Sequence, residues 1–125
     1  MSRSARVLAL ANQKGGVAKT TTTVNLGVAL KAMGLRVLAV DLDPQSNLAM
    51  SQGIDVERLR LGMYDVLVKG VPMAEIVHER EIDVAPAGIE LAGAEMALTA
   101  TIGRERALNR ALALLRERYD VILLD

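Results

Sequence analysis

The stretch from Asn12 to Thr21, NQKGGVAKTT, most constrains how this chain folds. Its adjacent glycines, Gly15 and Gly16, let the backbone turn its N–H groups inward around an anion, and a helix that follows adds the positive end of its dipole. Lys19 supplies a positive charge for terminal phosphates, and the hydroxyl of Thr20 suits the Mg²⁺ that accompanies a nucleoside triphosphate. The stretch predicts a phosphate-binding loop, with a merely structural turn before a helix as the alternative.

The segments on either side of this loop predict a βαβ unit. Val7–Ala11 is a continuous apolar run, as expected of a parallel strand covered on both faces. Lys19–Met33 has apolar residues at helical spacing, and Gly34 suits the left-handed position after a helix. Arg36–Asp41 is a second apolar run. Strand, loop, helix and strand in this order form a right-handed crossover, which places Asp41 at the carboxyl edge of a sheet.

The remainder of the chain predicts two further strands and several helices. Its predicted elements are short helices near Leu48–Gln52, Leu61–Val68, Met73–His78 and Glu90–Ala97, a longer helix at Arg104–Arg118, and strands at Ile82–Ala85 and Val121–Asp125. In the longer helix, Leu108, Leu112 and Leu115 form an apolar stripe at i, i+4 and i+7. No repeat or linker divides the chain, so residues 1–125 are expected to form a single domain.

Composition excludes several kinds of site. The chain has no cysteine, so it contains neither disulfides nor thiolate metal ligands, which suits a reducing cytoplasm. Its 15 basic and 15 acidic residues cancel, so no bulk attraction to nucleic acid or to an anionic membrane is implied. Two tyrosines are the only aromatic residues, so the core is expected to be aliphatic, with the methionines as filler, and no stacking platform for bases is present.

The loop departs from the pattern G-x-x-x-x-G-K-[ST], because Gln13 and Ala18 occupy its two glycine positions. It resembles instead the deviant Walker A motif of the ParA/MinD group of ATPases, K-G-G-x-G-K-[ST], with Lys14 as the signature lysine. Val40–Asn47 is similar to the D-x-D-P-Q-x-N element of ParA-type partition ATPases, and Tyr119–Asp125 looks like the Walker B strand of the family. Three motifs in the family's order indicate a ParA-type chain.

This resemblance implies a three-layer α/β P-loop NTPase fold, Rossmann-like, with a parallel sheet in the strand order 3-2-4-1. It covers essentially the whole chain but only the amino-terminal part of the longer family domain, so the sequence is expected to be truncated after the Walker B strand. The D-P-Q-x-N element and the lack of cysteine favour the ParA type over MinD-like proteins and the nitrogenase iron protein. The implied function is ATP binding and hydrolysis in chromosome or plasmid partition.

Residue roles follow from the same resemblance. Lys19 is expected to bind the β and γ phosphates, Thr20 to ligate Mg²⁺, and Thr21 to contact the α phosphate. Lys14 is expected to reach the phosphates of a second subunit, and Asp43 to position the attacking water. The implied nucleotide-binding residues are Lys14, Gly15, Gly16, Val17, Ala18, Lys19, Thr20 and Thr21; the catalytic residues are Asp43, Lys14 and Lys19; the metal residues are Thr20, Asp43 and Asp125, with Asp41 nearby.

The implied cofactors are ATP and Mg²⁺, and the implied partners are a second copy in an ATP-dependent homodimer and a ParB-like activator protein. Non-specific DNA is expected to bind the complete protein, whereas no membrane partner is expected. The expected location is the cytoplasm, in association with the nucleoid.

Ala18 and the expected truncation leave a second function open. If the backbone at Ala18 were left-handed, alanine there would cost ~1–2 kcal/mol. As a separate effect, the methyl group of Ala18 would crowd the close approach of a second subunit. The alternatives are therefore a non-hydrolysing, nucleotide-dependent interaction module and an inactive fragment.

Several of these residues also have an interpretation that involves no binding or catalysis. Asp41 and Asp43 are also typical of ordinary strand ends and turns. For His78 a solvated side chain is favoured over a metal ligand, and for the arginines between Arg104 and Arg118 a solvated helix face is favoured over contacts with DNA.

Overall fold

The computed structural model describes residues 5–10, 16–88 and 104–125, and within them the chain forms a parallel four-stranded sheet. Its strands are β1 (Arg6–Ala9), β2 (Val37–Val40), β3 (Asp83–Ala85) and β4 (Val121–Leu124). Their spatial order is β1-β4-β2-β3, which is the predicted order viewed from the other edge. All three pairings are parallel, as continuous apolar runs joined by helices predict.

The described helices lie between the strands in sequence. They are α1 (Gly16–Ala32), α2 (Asn47–Ser51), α3 (Met63–Lys69) and α4 (Arg104–Ala113), with 3₁₀ turns at Val56–Arg58 and Met73–Glu75. Gly34 has a φ of +89°, which confirms its predicted left-handed position after α1. The helix predicted at Glu90–Ala97 lies outside the described residues. None of the described helices combines the length and the apolar character needed to cross a membrane.

Two predicted helices are shorter than expected. The segment Met73–His78 makes only one 3₁₀ turn, because the backbone of His78 instead forms an antiparallel bridge with Val84 on β3. The amide of His78 donates to the carbonyl of Val84 at 2.8 Å and the reverse bond is 2.9 Å, so these groups are not available to a helix. The helix predicted to reach Arg118 ends at Ala113, and hydrogen-bonded turns continue the chain from there.

The core lies on both faces of the sheet. Side chains alternate along β2, so Leu38 and Val40 pack with α3 and α4 while Val37 and Ala39 pack with α1 and α2. The layers are therefore helix, sheet and helix, as predicted. Helix α1 approaches the sheet closely at Gly27, where a Cβ atom would come within 2.9 Å of the Ile82 side chain.

Two expectations about burial are wrong. Strand β1 is not covered on both faces: Leu8 is 43% exposed, because β1 is an edge strand that pairs with β4 alone among the described residues. The methionines are not uniformly core filler. Met63 and Met73 are buried, but Met33 is 75% exposed just after α1 ends, and Met50 is 54% exposed on the outer side of α2.

Candidate functional site at the carboxyl edge of the sheet

Two aspartates follow adjacent strands at the carboxyl edge of the sheet. Asp41 comes directly after β2 and Asp125 directly after β4. The ladder continues through them, because the amide of Asp125 donates to the carbonyl of Val40 at 2.8 Å and the amide of Leu42 donates to the carbonyl of Asp125 at 2.9 Å. Backbone bonds thus fix both carboxylates at the edge where α/β sheets bind ligands.

Helix α1 brings two threonines to Asp125. The hydroxyl of Thr20 donates to Oδ2 of Asp125 at 3.0 Å, and the hydroxyl of Thr23 lies 2.7 Å from Oδ1. Thr23 also lies 2.9 Å from the carbonyl of Lys19 in its own helix. Both threonines are buried, so the contact joins the first turns of α1 to the end of β4 in a water-poor environment. Sequence reasoning missed Thr23, although its position three residues after Thr20 on one helix face was a usable signal.

Asp41 is completely buried and is only partly satisfied. Its Oδ1 accepts the backbone N–H of Asp43 at 3.1 Å, while its Oδ2 has no hydrogen-bond partner among the described residues. Burial raises the pKa of Asp41 to about 7, the negative charges of Asp125 and Asp43 act in the same direction, and backbone N–H groups of Asp43 and Ala49 oppose the shift. A cation near Oδ2 would favour the charged form of this carboxylate.

Asp43 lies in a tight turn before α2. Its carboxylate accepts the backbone N–H of Gln45 at 3.0 Å, and its carbonyl accepts the N–H of Ser46 at 2.9 Å. Ser46 is buried with a φ of 60°, a left-handed conformation that the sequence did not predict. Asx turns of this kind are typical of an aspartate followed by proline. The half-buried Asp43 side chain is therefore held in a defined direction near Asp41.

The remaining predicted loop residues are described in part. Lys14 and Gly15 lie outside the described residues, and Gly16 and Val17 are described only as the start of α1. Lys19 is half buried, and Thr21 is exposed on the same turn of the helix.

The proposed strain at Ala18 is absent. Ala18 is an exposed residue in the first turn of α1, and Ser46 alone among the described non-glycine residues has a positive φ. The condition for a backbone penalty of ~1–2 kcal/mol at Ala18 is therefore not met. The possibility of steric crowding by its methyl group is unaffected.

The described residues fit a magnesium–nucleotide complex better than a metal held by protein alone. No group of three or more histidine, cysteine or acidic residues within the described ranges is close enough to bind a metal ion. Magnesium in nucleotide sites takes only one or two protein oxygens and completes its shell with phosphate and water. The Thr20 hydroxyl, the carboxylate of Asp125 and the unpartnered Oδ2 of Asp41 supply oxygens of the required kind.

Comparison with known proteins places the chain in a family. The model of a family described as "AAA domain" matches residues 5–125. The sporulation initiation inhibitor protein Soj of Bacillus subtilis is 46% identical over 123 residues, which cover 96% of this chain and 49% of that protein. The chromosome partitioning protein ParA of Caulobacter vibrioides is 45% identical over 125 residues, or 96% of this chain and 47% of that protein.

A solved structure is also closely similar. The cobyrinic acid a,c-diamide synthase of Mycobacterium smegmatis, with bound ADP and magnesium, superposes with a TM-score of 0.92 at 49% identity, covering 97% of this chain and 50% of that one. The chain thus spans about half the length of the relatives it matches. With the family match over nearly its whole length, the chain belongs to this AAA domain family, in the ParA/MinD group of P-loop ATPases.

Proposed function

We propose that this chain binds ATP with Mg²⁺ at the carboxyl edge of the sheet and that the complete protein hydrolyses ATP in chromosome or plasmid partition. The observation that carries the proposal is the paired contact of Thr20 and Thr23 with Asp125, which joins the start of α1 to the end of β4. The ADP and magnesium in the mycobacterial structure support the same ligands here.

The contact also orients Thr20 for a metal. Since the Thr20 proton points to Oδ2 of Asp125, the lone pairs of the hydroxyl oxygen remain available to a cation. In the proposed site Thr20, Asp43 and Asp125 would hold Mg²⁺, directly or through water, while the hydrogen bond to Asp125 fixes the Thr20 hydroxyl. Bound Mg²⁺ would neutralise phosphate charge and orient the γ phosphate.

The other loop residues would bind the nucleotide. Backbone N–H groups from Gly15 to Ala18 would surround the phosphates, and the dipole of α1 favours negative charge at that end. Lys19 would neutralise the β and γ phosphates, and Thr21 would contact the α phosphate. Lys14 would act on the nucleotide of a second subunit, which makes ATP part of a homodimer interface.

Asp43 would position the attacking water. Its Asx turn fixes the carboxylate next to the buried Asp41, so a water bound there would be oriented without large movement of the protein. Phosphoryl transfer needs positioning and charge neutralisation more than covalent chemistry, and the residues at this edge supply both.

Partition is proposed for the complete protein from the names of its relatives. A ParB-like activator and non-specific DNA are its proposed partners, and the cytoplasm, in association with the nucleoid, is its proposed location. The mycobacterial relative carries a different name, a diamide synthase. If phosphate release required cobyrinic acid and did not change when a ParB-like protein was added, the result would favour a diamide synthase function over partition.

Steady-state phosphate release tests hydrolysis. Asp43 and Asp55 each accept the backbone N–H two residues ahead, at 3.0 and 3.1 Å, so substitution by asparagine keeps the turn in both and removes only the charge. Asp43→Asn should lower release by about 100-fold or more, whereas Asp55→Asn should match the wild type. Equal rates in both variants would contradict the role of Asp43. ATP binding without release in the wild type would instead favour the non-hydrolysing interaction module.

A further inference from the structure

Thr23 is a polar residue on the face of α1 that meets the sheet, and it is completely buried. Its hydroxyl lies 2.7 Å from Oδ1 of Asp125 and 2.9 Å from the carbonyl of Lys19. A carboxylate and a carbonyl can only accept hydrogen bonds, so the single hydroxyl proton serves one of them at a time. Because a hydrogen bond to a charged oxygen is the stronger kind, Thr23 donates to Asp125.

The contact with Asp125 goes beyond what a threonine in a helix needs. Threonine hydroxyls inside helices commonly donate to the carbonyl four residues earlier, which satisfies them without a tertiary partner. Thr22 does so, with a bond of 3.0 Å to the carbonyl of Ala18. Thr23 has the equivalent carbonyl, that of Lys19, within reach. The bond to Asp125 is therefore not required by the threonine, and its main effect is on the carboxylate.

That effect is to fix the orientation of the Asp125 carboxylate. The backbone of Asp125 is already held on both sides, by the carbonyl of Val40 at 2.8 Å and the amide of Leu42 at 2.9 Å. Its side chain can still rotate about its own torsions. The Thr20 hydroxyl alone would hold Oδ2 and let the carboxylate turn about that oxygen. With Thr23 holding Oδ1 from the same helix, both oxygens are fixed.

The orientation of Asp125 in turn determines that of the Thr20 hydroxyl. If the carboxylate turned, Oδ2 would move away from Thr20, and the Thr20 proton could donate to a carbonyl of its own helix, as Thr22 does. The lone pairs of the Thr20 oxygen would then point in another direction. Magnesium requires near-ideal octahedral geometry with oxygens at about 2.0–2.1 Å, so a turned ligand weakens its binding.

We propose that Thr23 is a positioning residue for the magnesium site: it holds Oδ1 of Asp125, and Asp125 thereby orients Thr20 towards the metal. The proposal rests on the proposed function, because it needs Mg²⁺ and ATP to bind at this edge of the sheet. Thr23 acts through Asp125 and is not itself a ligand. Residues one step removed from a metal often orient its ligands in this way, and their loss lowers metal affinity.

Calorimetric titration of the full chain with ATP, once with Mg²⁺ and once with a chelator, tests the proposal. The ratio of the two dissociation constants measures how much Mg²⁺ strengthens ATP binding. Alanine and serine differ only in the hydroxyl group, so they isolate the hydrogen bond at position 23. In Thr23→Ala the ratio should fall by about three- to tenfold, since Thr20 still holds one oxygen of Asp125. Thr23→Ser should keep the ratio of the wild type.

Two further variants complete the comparison. Thr23→Val keeps the shape of threonine without its hydroxyl and should show the same fall as Thr23→Ala. Thr22→Val removes an exposed hydroxyl from the same helix and should keep the ratio of the wild type. A loss of stability alone, which urea unfolding measures, would weaken ATP binding equally with and without Mg²⁺ and leave the ratio unchanged.

The outcomes separate this proposal from the proposed function. An unchanged ratio in Thr23→Ala and Thr23→Val, or an equal fall in Thr23→Ser, overturns the role of the Thr23 hydroxyl and leaves the proposed function standing. A wild type that binds no ATP, or whose ATP binding Mg²⁺ does not strengthen, overturns both.

Discussion

Thr20 on helix α1 donates a 3.0 Å hydrogen bond to Asp125, a residue 105 positions later in the chain. The bond joins α1, the helix that follows the predicted phosphate-binding loop, to the end of β4. Because Thr23 contacts the other oxygen of the same carboxylate at 2.7 Å, Asp125 is held at both of its oxygens before any ligand arrives. Among the described residues, Thr20, Thr23 and Asp125 are therefore already arranged by a helix and a strand.

Replacing Thr23 by valine should destabilise the protein. Valine keeps the shape of threonine but leaves Oδ1 of a buried carboxylate without its hydroxyl partner, at a cost of about 1–3 kcal/mol. Urea unfolding of Thr23→Val measures this loss. Thr22→Val is the matched control, because Thr22 is exposed and its hydroxyl donates to the carbonyl of Ala18 in the same helix. Equal stabilities for the two variants would show that the Thr23 contact contributes nothing.

The sequence predicted the strands of this fold well, for a physical reason. The apolar runs within Arg36–Asp41 and Val121–Asp125 are continuous, which is typical of strands buried on both faces. These runs form β2 and β4, the two central strands of the sheet. Their aspartates follow directly, so the register of each strand places them at one edge. Periodicity could not show that β1 (Arg6–Ala9), in the similar run that starts at Val7, is exposed at an edge of the sheet formed by the described residues, because exposure depends on what packs against a strand.

The side-chain contacts of the site were harder to predict. The pairing of Thr23 with Asp125 spans 102 residues, so although the spacing of Thr20 and Thr23 puts them on one helix face, the sequence did not show that this face meets Asp125. The left-handed Ser46 was also missed, since the turn after Pro44 depends on hydrogen bonds to Asp43. Local patterns thus predicted the elements, whereas the tertiary arrangement determined the contacts.

The stability of the nucleotide-free chain should depend on pH through Asp41. The pKa of Asp41 is about 7 in the folded state against about 3.8 when unfolded, so the folded state binds more protons between these values. The contribution of Asp41 to the free energy of unfolding is therefore greatest below pH 4. It decreases as pH rises towards 7, by at most about 4 kcal/mol.

Asp41→Asn isolates this effect, because asparagine does not titrate. Urea unfolding from pH 4 to pH 8 should show the wild type losing stability relative to the variant as pH rises. Parallel curves for the two proteins across this range would mean that Asp41 is charged in the folded state throughout.

The close approach of α1 to the sheet at Gly27 predicts an interaction with Ile82. A Cβ at Gly27 would lie 2.9 Å from Cδ1 of Ile82. Gly27→Ala therefore has two opposing effects on stability: a gain of about 1 kcal/mol in helix propensity and a loss from the clash with Ile82. Ile82→Val removes that atom. Gly27→Ala should therefore be more favourable in the Ile82→Val background than in the wild type, by about 0.5 kcal/mol or more. Additive free energies of unfolding would contradict the clash.

Ala18→Gly should raise ATP turnover or ATP-dependent dimerisation if the methyl group crowds a second subunit. The same change should lower the stability of the monomer by up to about 1 kcal/mol, because Ala18 lies in helix α1 and its backbone is unstrained. Phosphate release and light scattering with ATP measure the first effect, and urea unfolding measures the second. Unchanged turnover and dimerisation would remove the steric hypothesis.

The central claim is that Thr20 and Asp125 form part of a magnesium–ATP site, and calorimetric titration of the chain with ATP tests it most directly. With Mg²⁺ the wild type and Thr22→Val should bind ATP alike, whereas Thr20→Val should bind about tenfold more weakly. Without Mg²⁺ that difference should largely disappear, since the Thr20 hydroxyl would have no metal to ligate. Equal affinity of Thr20→Val and the wild type in the presence of Mg²⁺, or no binding of ATP by the wild type, would contradict the account.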